Sequence, residues 1–247
     1  MRASGLRASQ RQFQLGYFGS KGGSGAYQAV IAAMPPHDTY IEAFLGSGVV
    51  MRAKPPAART IGVELDPAPL AAFGALPFVQ RQAARDAVEL YNADAVRWLR
   101  RFDFASAGRV LVYADPPYVM AGRTSAKRYR FDFDDQAHRS LIATLRDLPC
   151  AVILSGYPSA LYDELLGDWR QVEFQVMTRG GPRTEKLWLN YPAGDVAWAT
   201  FAGANFTDRQ RIKRKAARWA AHYAKLPSGE RLAVLAALLG QHGTDPA

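Results

Sequence analysis

Four consecutive residues, Asp115, Pro116, Pro117 and Tyr118, have the types and order to trap an amino group. A proline has no backbone N–H and a fixed φ, so the Pro-Pro pair makes a stiff loop whose carbonyl oxygens stay available as acceptors. The exocyclic amine of a nucleobase is a pair of donors. Asp115 and the Pro116 carbonyl can accept from that pair and align the nitrogen lone pair with an electrophilic methyl group, while Tyr118 stacks on the face of the base. The ordinary alternative is a strand-ending turn, since Asp and Pro are common turn residues. Two prolines and an aromatic directly behind the apolar run Val110–Ala114 make an unusual turn, and the chemical reading is preferred.

A second segment, Glu42-Ala43-Phe44-Leu45-Gly46-Ser47-Gly48-Val49-Val50, runs from an apolar stretch into a Gly-Ser-Gly turn. Glycines let a ligand come close to the backbone. The segment lacks the three-glycine dinucleotide fingerprint, so alone it reads equally as an ordinary strand-to-helix turn. Sixteen residues beyond Gly48, the run Thr60–Glu64 ends in a carboxylate, where nucleotide-binding βαβ units carry a ribose-binding acid. Asp66 is the rival acid; it precedes Pro67 and suits a helix cap, so Glu64 is preferred. Asp94 follows a third apolar run and reads either as an acceptor for the amino group of a cofactor adenine or as the cap of a helix beginning at Ala95.

The elements that must position these residues alternate. Apolar runs that suit buried strands lie at Thr39–Phe44, Thr60–Glu64, Val88–Tyr91, Val110–Ala114, Ala151–Ser155, Val172–Met177 and Leu187–Tyr191, with helical spacing at Asp94–Phe102 and Asp134–Leu148 among them. Alternating strands and helices argue for an α/β fold with a largely parallel sheet, because parallel strands need crossover connections. In such a sheet, Asp115 sits at the carboxyl end of a strand, where ligands bind.

The set as a whole resembles the Dam-like family of adenine-specific DNA methyltransferases. The resemblance is carried by Tyr17-Phe18-Gly19-Ser20-Lys21, Phe44–Val50, Val63-Glu64-Leu65-Asp66, Asp94, the DPPY run at 115–118, Leu154-Ser155-Gly156-Tyr157 and Thr184–Tyr191, spanning residues 15–192. It implies a seven-stranded, Rossmann-like S-adenosylmethionine-dependent methyltransferase sheet, with a catalytic domain over residues 13–192. It places the cofactor near Tyr17, Lys21, Phe44, Gly46, Ser47, Gly48, Glu64, Asp94 and Asp115. It also implies that Asp115, Pro116, Pro117 and Tyr118 hold the N6 amine of a flipped adenine, that S-adenosylhomocysteine is the product and that no metal is used. Ala43 stands where members of the family often have proline. Twenty residues separate Asp94 from Asp115, too few for the target-recognition domain that many members carry there.

Reading of DNA therefore falls to other segments. Arg123-Thr124-Ser125-Ala126-Lys127-Arg128-Tyr129-Arg130-Phe131 interleaves bases and aromatics, suited to phosphates and unstacked bases, and alternatively is a solvated loop. Lys+Arg outnumber Asp+Glu 31 to 22, giving a net charge of +9. Seven of the bases, Arg209, Arg211, Lys213, Arg214, Lys215, Arg218 and Lys225, fall in one acid-free stretch, so the excess is local. There, Thr207–Gln210 has capping-box spacing, and Ile212, Ala216, Trp219, Tyr223 and Leu226 form an apolar stripe opposite the basic face. Pro227-Ser228-Gly229 breaks this helix, and Leu232, Leu235, Ala236 and Leu239 predict a second one ending at Gly240. The expectation is a basic helical hairpin over 205–240 that binds DNA or supports a homodimer, with Arg209, Arg211, Arg214, Lys215 and Arg218 on phosphates and the domain boundary near 193–204. The plain alternative is a solvated face on a packing helix.

Other features bound the function. The single cysteine, Cys150, excludes an internal disulfide framework and reads as a buried structural thiol. The four histidines are scattered and suggest no triad. No apolar run is long enough to span a membrane and the first twelve residues lack a hydrophobic signal core, so a cytoplasmic protein acting on double-stranded DNA is expected. The alternatives are transfer to the cytosine N4 amine, transfer to adenine in RNA, and a non-catalytic DNA-binding regulator that keeps the fold.

Overall fold

Val110–Ala114 is apolar or aromatic at every position, as a strand covered on both faces requires. In the computed structural model this run is β4; all five residues are buried, and it occupies the middle of a seven-stranded sheet. The structure describes residues 26–77, 79, 87–117, 133–178, 181–194 and 206–242. The chain divides into two compact units, Met1–Trp198 and Ala199–Ala247.

The first unit runs α1 (Ala26–Ala33), β1 (Thr39–Glu42), α2 (Val49–Ala53), β2 (Arg59–Glu64), α3 (Pro67–Gly74), β3 (Ala87–Asn92), α4 (Ala95–Leu99), β4 (Val110–Ala114), α5 (Asp135–Asp147), β5 (Ala151–Gly156), α6 (Ala160–Leu165), β6 (Arg170–Thr178) and β7 (Gly181–Leu189). The sheet order is β3-β2-β1-β4-β5-β7-β6. Strands β1 to β5 are mutually parallel, and β7 runs antiparallel to both β5 and β6. This is the α/β, Rossmann-like seven-stranded arrangement that the resemblance implies. From β1 the chain steps outward to β2 and β3, then returns to place β4 on the other side of β1. That reversal opens a crevice at the carboxyl ends of β1 and β4, which is where open α/β sheets take ligands.

Local sequence sets the helix starts. Asp66, Asp94, Asp134 and Ser159 cap α3, α4, α5 and α6, each accepting a backbone N–H of the first turn. α5 is the most clearly amphipathic: Leu141, Ile142 and Leu145 are buried on one face in the cluster that contains Ile41, Val112 and Leu154. Trp169 is 7% exposed and belongs to this core, and Trp98 stacks on Phe102, so both are packing residues.

Several expected boundaries move. β1 ends at Glu42 rather than Phe44, and α4 ends at Leu99 rather than Phe102. β7 extends upstream to Gly181, through the polar residues Arg183–Lys186, because it pairs along its length with β6 as an outer antiparallel ribbon. It stops before Asn190, whose side chain takes over the pairing: Oδ1 accepts from the Val152 N–H at 2.8 Å and Nδ2 donates to the Cys150 carbonyl at 2.9 Å. Cys150 is half-buried rather than fully buried, and burial pushes its thiol up to about 12.

In the second unit, α7 (Phe206–Ala224) and α8 (Ser228–His242) form the expected hairpin, tied by the Tyr223 hydroxyl donating to the Arg231 carbonyl at 2.9 Å. Two details differ from expectation. α7 begins at Phe206, so Thr207 lies inside the first turn and the capping box does not form; Asp208 instead pairs with Arg211 at 2.7 Å. α8 continues through Gly240 to His242. Of the apolar stripe, Ile212, Tyr223 and Leu226 are half-buried, while Ala216 is exposed and Trp219 is 66% exposed. Among the described residues no helix is long and apolar enough to cross a membrane.

Candidate active site

Beyond β1 the chain stays fastened to its neighbours while it turns. The Ala43 N–H donates to the Tyr113 carbonyl at 2.9 Å and the Leu45 N–H to the Val63 carbonyl at 3.0 Å, on opposite sides. Gly46 (φ 48°) and Gly48 (φ 59°) then take the left-handed conformation that L side chains disfavour. At Gly48 there is a second reason for glycine: a Cβ would lie 2.1 Å from the Phe73 ring of α3. The turn is therefore pressed against the helix that follows β2, and α2 starts from it with no side-chain cap.

Glu64, at the end of β2, secures this turn. Its Oε2 accepts from the Gly46 N–H at 2.8 Å and its Oε1 from the Asp66 N–H at 2.9 Å. Burial raises its pKa, against the pull of those backbone donors. The Leu65 N–H also points at this carboxylate, so three backbone donors hold it at the end of β2. Asp66, the rival acid, is the α3 cap: Oδ1 accepts from the Ala68 N–H at 3.0 Å. Asp94 is likewise a cap, with Oδ1 accepting from the Arg97 N–H at 2.9 Å, so the second of its two readings is realised at that oxygen. Asn92 Nδ2 donates to the carbonyls of Glu64 and Leu65, both at 2.9 Å, which ties the end of β3 to the end of β2.

Across the crevice, Asp115 leaves β4 half-buried, followed by buried Pro116 and half-buried Pro117. The Ser155 hydroxyl on β5 donates to Asp115 Oδ1 at 2.8 Å, and the Tyr113 hydroxyl lies 3.0 Å from the Ser155 oxygen. Beside them, Glu42 at the end of β1 is 3% exposed and accepts from the Tyr40 hydroxyl at 2.9 Å. Burial pushes its pKa up to about 8; the bond from Tyr40 opposes this, the negative charge of Asp115 adds to it, and the Met51 N–H and Lys54 oppose it. Glu42 is thus shifted towards holding its proton, within electrostatic reach of Asp115.

Aromatic rings pack behind this edge in sequence. Phe44 meets Phe133 edge to face at 5.8 Å, Phe133 meets His138 at 4.7 Å, His138 meets Tyr162 at 5.5 Å, and Tyr162 meets Trp188 at 4.9 Å. The Tyr162 hydroxyl is 2.9 Å from His138 Nδ1, and burial, with Asp115's charge adding to it, pushes that hydroxyl's pKa up. His138 is therefore part of a packed wall, as expected of a histidine outside any triad.

The structure brings Phe44, Gly46, Ser47, Gly48, Glu64, Asp94, Asp115, Pro116 and Pro117 to the carboxyl ends of four adjacent parallel strands. Tyr17, Lys21, Tyr118, Arg123, Lys127, Arg128 and Arg130 lie outside the described residues. On α7, Arg209 is half-buried, whereas Arg211, Arg214, Lys215 and Arg218 are exposed; Arg211 is paired with Asp208 and Arg214 donates to the Gln210 carbonyl. Sequence reasoning gave no role to Glu42, Tyr113 or the hydroxyl of Ser155. The only signal for them was a Glu directly ahead of the glycine turn and a Ser at the end of the strand next to β4. Among the described residues no group of three metal-ligating side chains occurs.

No family model and no curated protein matches the chain. Solved structures do match. TrmN from Thermus thermophilus is 19% identical with a TM-score of 0.46, covering 66% of this chain and 48% of that one. A conserved hypothetical protein from Streptococcus pyogenes is 18% identical with a TM-score of 0.43, covering 68% of this chain and 94% of that one. The N-terminal domain of human METTL16, in complex with SAH, is 11% identical with a TM-score of 0.44, covering 64% and 63%. At such identities no substrate or residue role passes from those proteins to this chain.

Proposed function

We propose that this chain is an S-adenosylmethionine-dependent methyltransferase that modifies the N6 amine of an adenine flipped out of double-stranded DNA. The observation that carries the reading is the Asp115-Pro116-Pro117 segment at the end of β4, directly beside the strand β1 whose end carries a glycine turn that Glu64 holds. The donor and acceptor set fits the cofactor: Glu64 puts a carboxylate at the end of β2, where a ribose is bound in such folds, the left-handed glycine turn presents backbone without side chains, and the second oxygen of Asp94 suits an adenine amine. Phe44 supplies an aromatic edge beside the turn. When bound, the cofactor supplies a sulfonium methyl as the electrophile.

The chain's own residues do the rest. Asp115 and the Pro116 carbonyl accept the two N6 hydrogens, which turns the nitrogen lone pair out of conjugation and towards the methyl carbon. With the cofactor held by Glu64 and the glycine turn, transfer of its methyl to N6 would leave a neutral thioether, so only the charge on the amine has to be managed by the chain. The amine then carries one proton more than it can keep, and the Asp115 carboxylate is the base already in contact with it. Tyr118 stacks on the flipped base, and the few kcal/mol that unstacking costs are offset by these contacts. DNA is held through phosphates by Arg209, Arg211, Arg214, Lys215 and Arg218 on α7 and by the Arg123–Arg130 segment, which reads bases.

Incubation with methyl-labelled cofactor and either double-stranded DNA or RNA, followed by mass spectrometry of the nucleosides, tests this. N6-methyldeoxyadenosine from the parent and none from Asp115→Ala is expected. Methylcytosine alone, label in RNA alone, or equal background from both proteins would each end the reading.

A further inference from the structure

We propose that Tyr113 and Ser155 are positioning residues: a two-hydroxyl relay that fixes the Asp115 carboxylate as an oriented acceptor for the substrate amine. The inference rests on the reading of Asp115 as the amine trap and assigns how that trap is held.

Register places the three side chains together. Tyr113 pairs with Ile153 and Ala114 with Leu154 on the parallel strand β5, so one step further Ser155 stands beside Asp115. Residues two apart on a strand share a face, which puts Tyr113 and Asp115 on the same side of the sheet. Ser155 is 0% exposed and Tyr113 1% exposed, so bulk water does not compete for these hydroxyls. On the other side, the Tyr162 ring lies against Gly156, where a Cβ would come within 3.1 Å of it.

The relay has a direction. A hydroxyl has one proton to give, and an ionised carboxylate can only accept. Ser155 donates its proton to Asp115 Oδ1, so in the 3.0 Å contact between Tyr113 and Ser155 the tyrosine must be the donor. A buried serine could equally satisfy its hydroxyl with a carbonyl of its own strand. Here it points along the sheet to the one carboxylate at the amine site, and its acceptor side is filled by a second hydroxyl that leaves its proton free for that task. Such a chain strengthens each of its bonds and pins the carboxylate plane. The consequence is chemical as well as geometric: Asp115 is set to accept from an amine and has nothing to donate to a carbonyl oxygen at the same position of a base.

The test compares the parent with Tyr113→Phe, Ser155→Ala and the double variant. For each, kcat and KM for DNA are measured by methyl transfer, and cofactor affinity by calorimetry. Ser155→Ala should lower kcat by about tenfold to hundredfold, the scale of misplacing a catalytic group, with cofactor affinity and KM within about threefold of the parent. Tyr113→Phe, which removes one oxygen and keeps the ring, should lower kcat by less. The double variant should be no slower than Ser155→Ala, because Tyr113 acts through Ser155. If the two losses multiply, or if both variants keep the parental kcat, the relay is refuted even though the parent methylates DNA. If the parent itself transfers no methyl to adenine, the reading of Asp115 fails first and the relay with it.

Discussion

Replacing Glu42 by glutamine should flatten the pH dependence of stability, and the size of the effect follows from the burial of one carboxyl group. Glu42 is 3% exposed, and burial raises its acid from an ordinary 4.5 to about 8. Below the unfolded value both states hold the proton and the group is neutral to stability. Between 4.5 and about 8 the folded chain keeps a proton that the unfolded chain has released, so stability falls as pH rises, by about 1.4 kcal/mol per pH step, and levels off above the folded value. From about pH 5 to about pH 8 the loss is on the order of 3 kcal/mol, a large share of the stability of an ordinary domain. Glutamine is close in size to the protonated acid, keeps one acceptor oxygen and never ionises. Urea unfolding of parent and Glu42→Gln across this range should show the variant gaining on the parent by that amount. Because Asp115's charge helps to raise Glu42, Asp115→Asn in the parent should lower the folded value, so that the fall in stability levels off at lower pH and is smaller in total. A difference between parent and Glu42→Gln that stays constant from about pH 5 to about pH 8 would refute a neutral acid at this position.

Gly48→Ala forces a Cβ to 2.1 Å from Phe73 at φ 59°, and should cost roughly 2–4 kcal/mol in urea unfolding from left-handed strain plus overpacking. Glu64→Ala leaves the Gly46 and Asp66 N–H groups without their acceptor and should weaken cofactor binding by about tenfold to hundredfold in calorimetry, the scale of removing a charge-assisted hydrogen bond. Alanine at Arg214, Lys215 and Arg218 together should weaken DNA binding and make the log–log salt slope less negative by about 0.9 for each phosphate that is no longer neutralised. An unchanged slope in fluorescence anisotropy would remove α7 from the DNA-binding surface.

Much of the sheet was legible because its central strands are covered on both faces and so read as unbroken apolar runs; Val110–Ala114 is the same run in sequence and structure. The outer ribbon was half legible. β7 includes Arg183-Thr184-Glu185-Lys186, which pair with β6 but carry no apolar signature, so only its apolar end at Leu187–Leu189 showed in the sequence. Helices of five to eight residues such as α1, α2 and α6 span too few turns for a period to emerge. The candidate site divides along the same line. DPPY, the glycine turn and Glu64 are contiguous in sequence or near strand ends, so they stand out in the sequence. The contact of Ser155 with Asp115 and Tyr113 joins β5 to β4 across about 40 residues, and such a contact is a property of register.

Register also explains why two acids can stand at neighbouring strand ends without both being charged. The charge of Asp115 raises the pKa of Glu42, and the surroundings of each acid set how strongly it holds a proton. Glu42 is sealed in β1 with the Tyr40 hydroxyl and a backbone N–H as donors, while Asp115 is half-buried and receives the Ser155 hydroxyl, which Tyr113 supports in turn. Burial therefore raises the pKa of Glu42, and the negative charge of Asp115 adds to that rise. A substitution that opened Glu42 to water would lower its pKa and place a second negative charge near Asp115, so the acid ahead of the glycine turn and the acid ahead of Pro116 form one electrostatic unit.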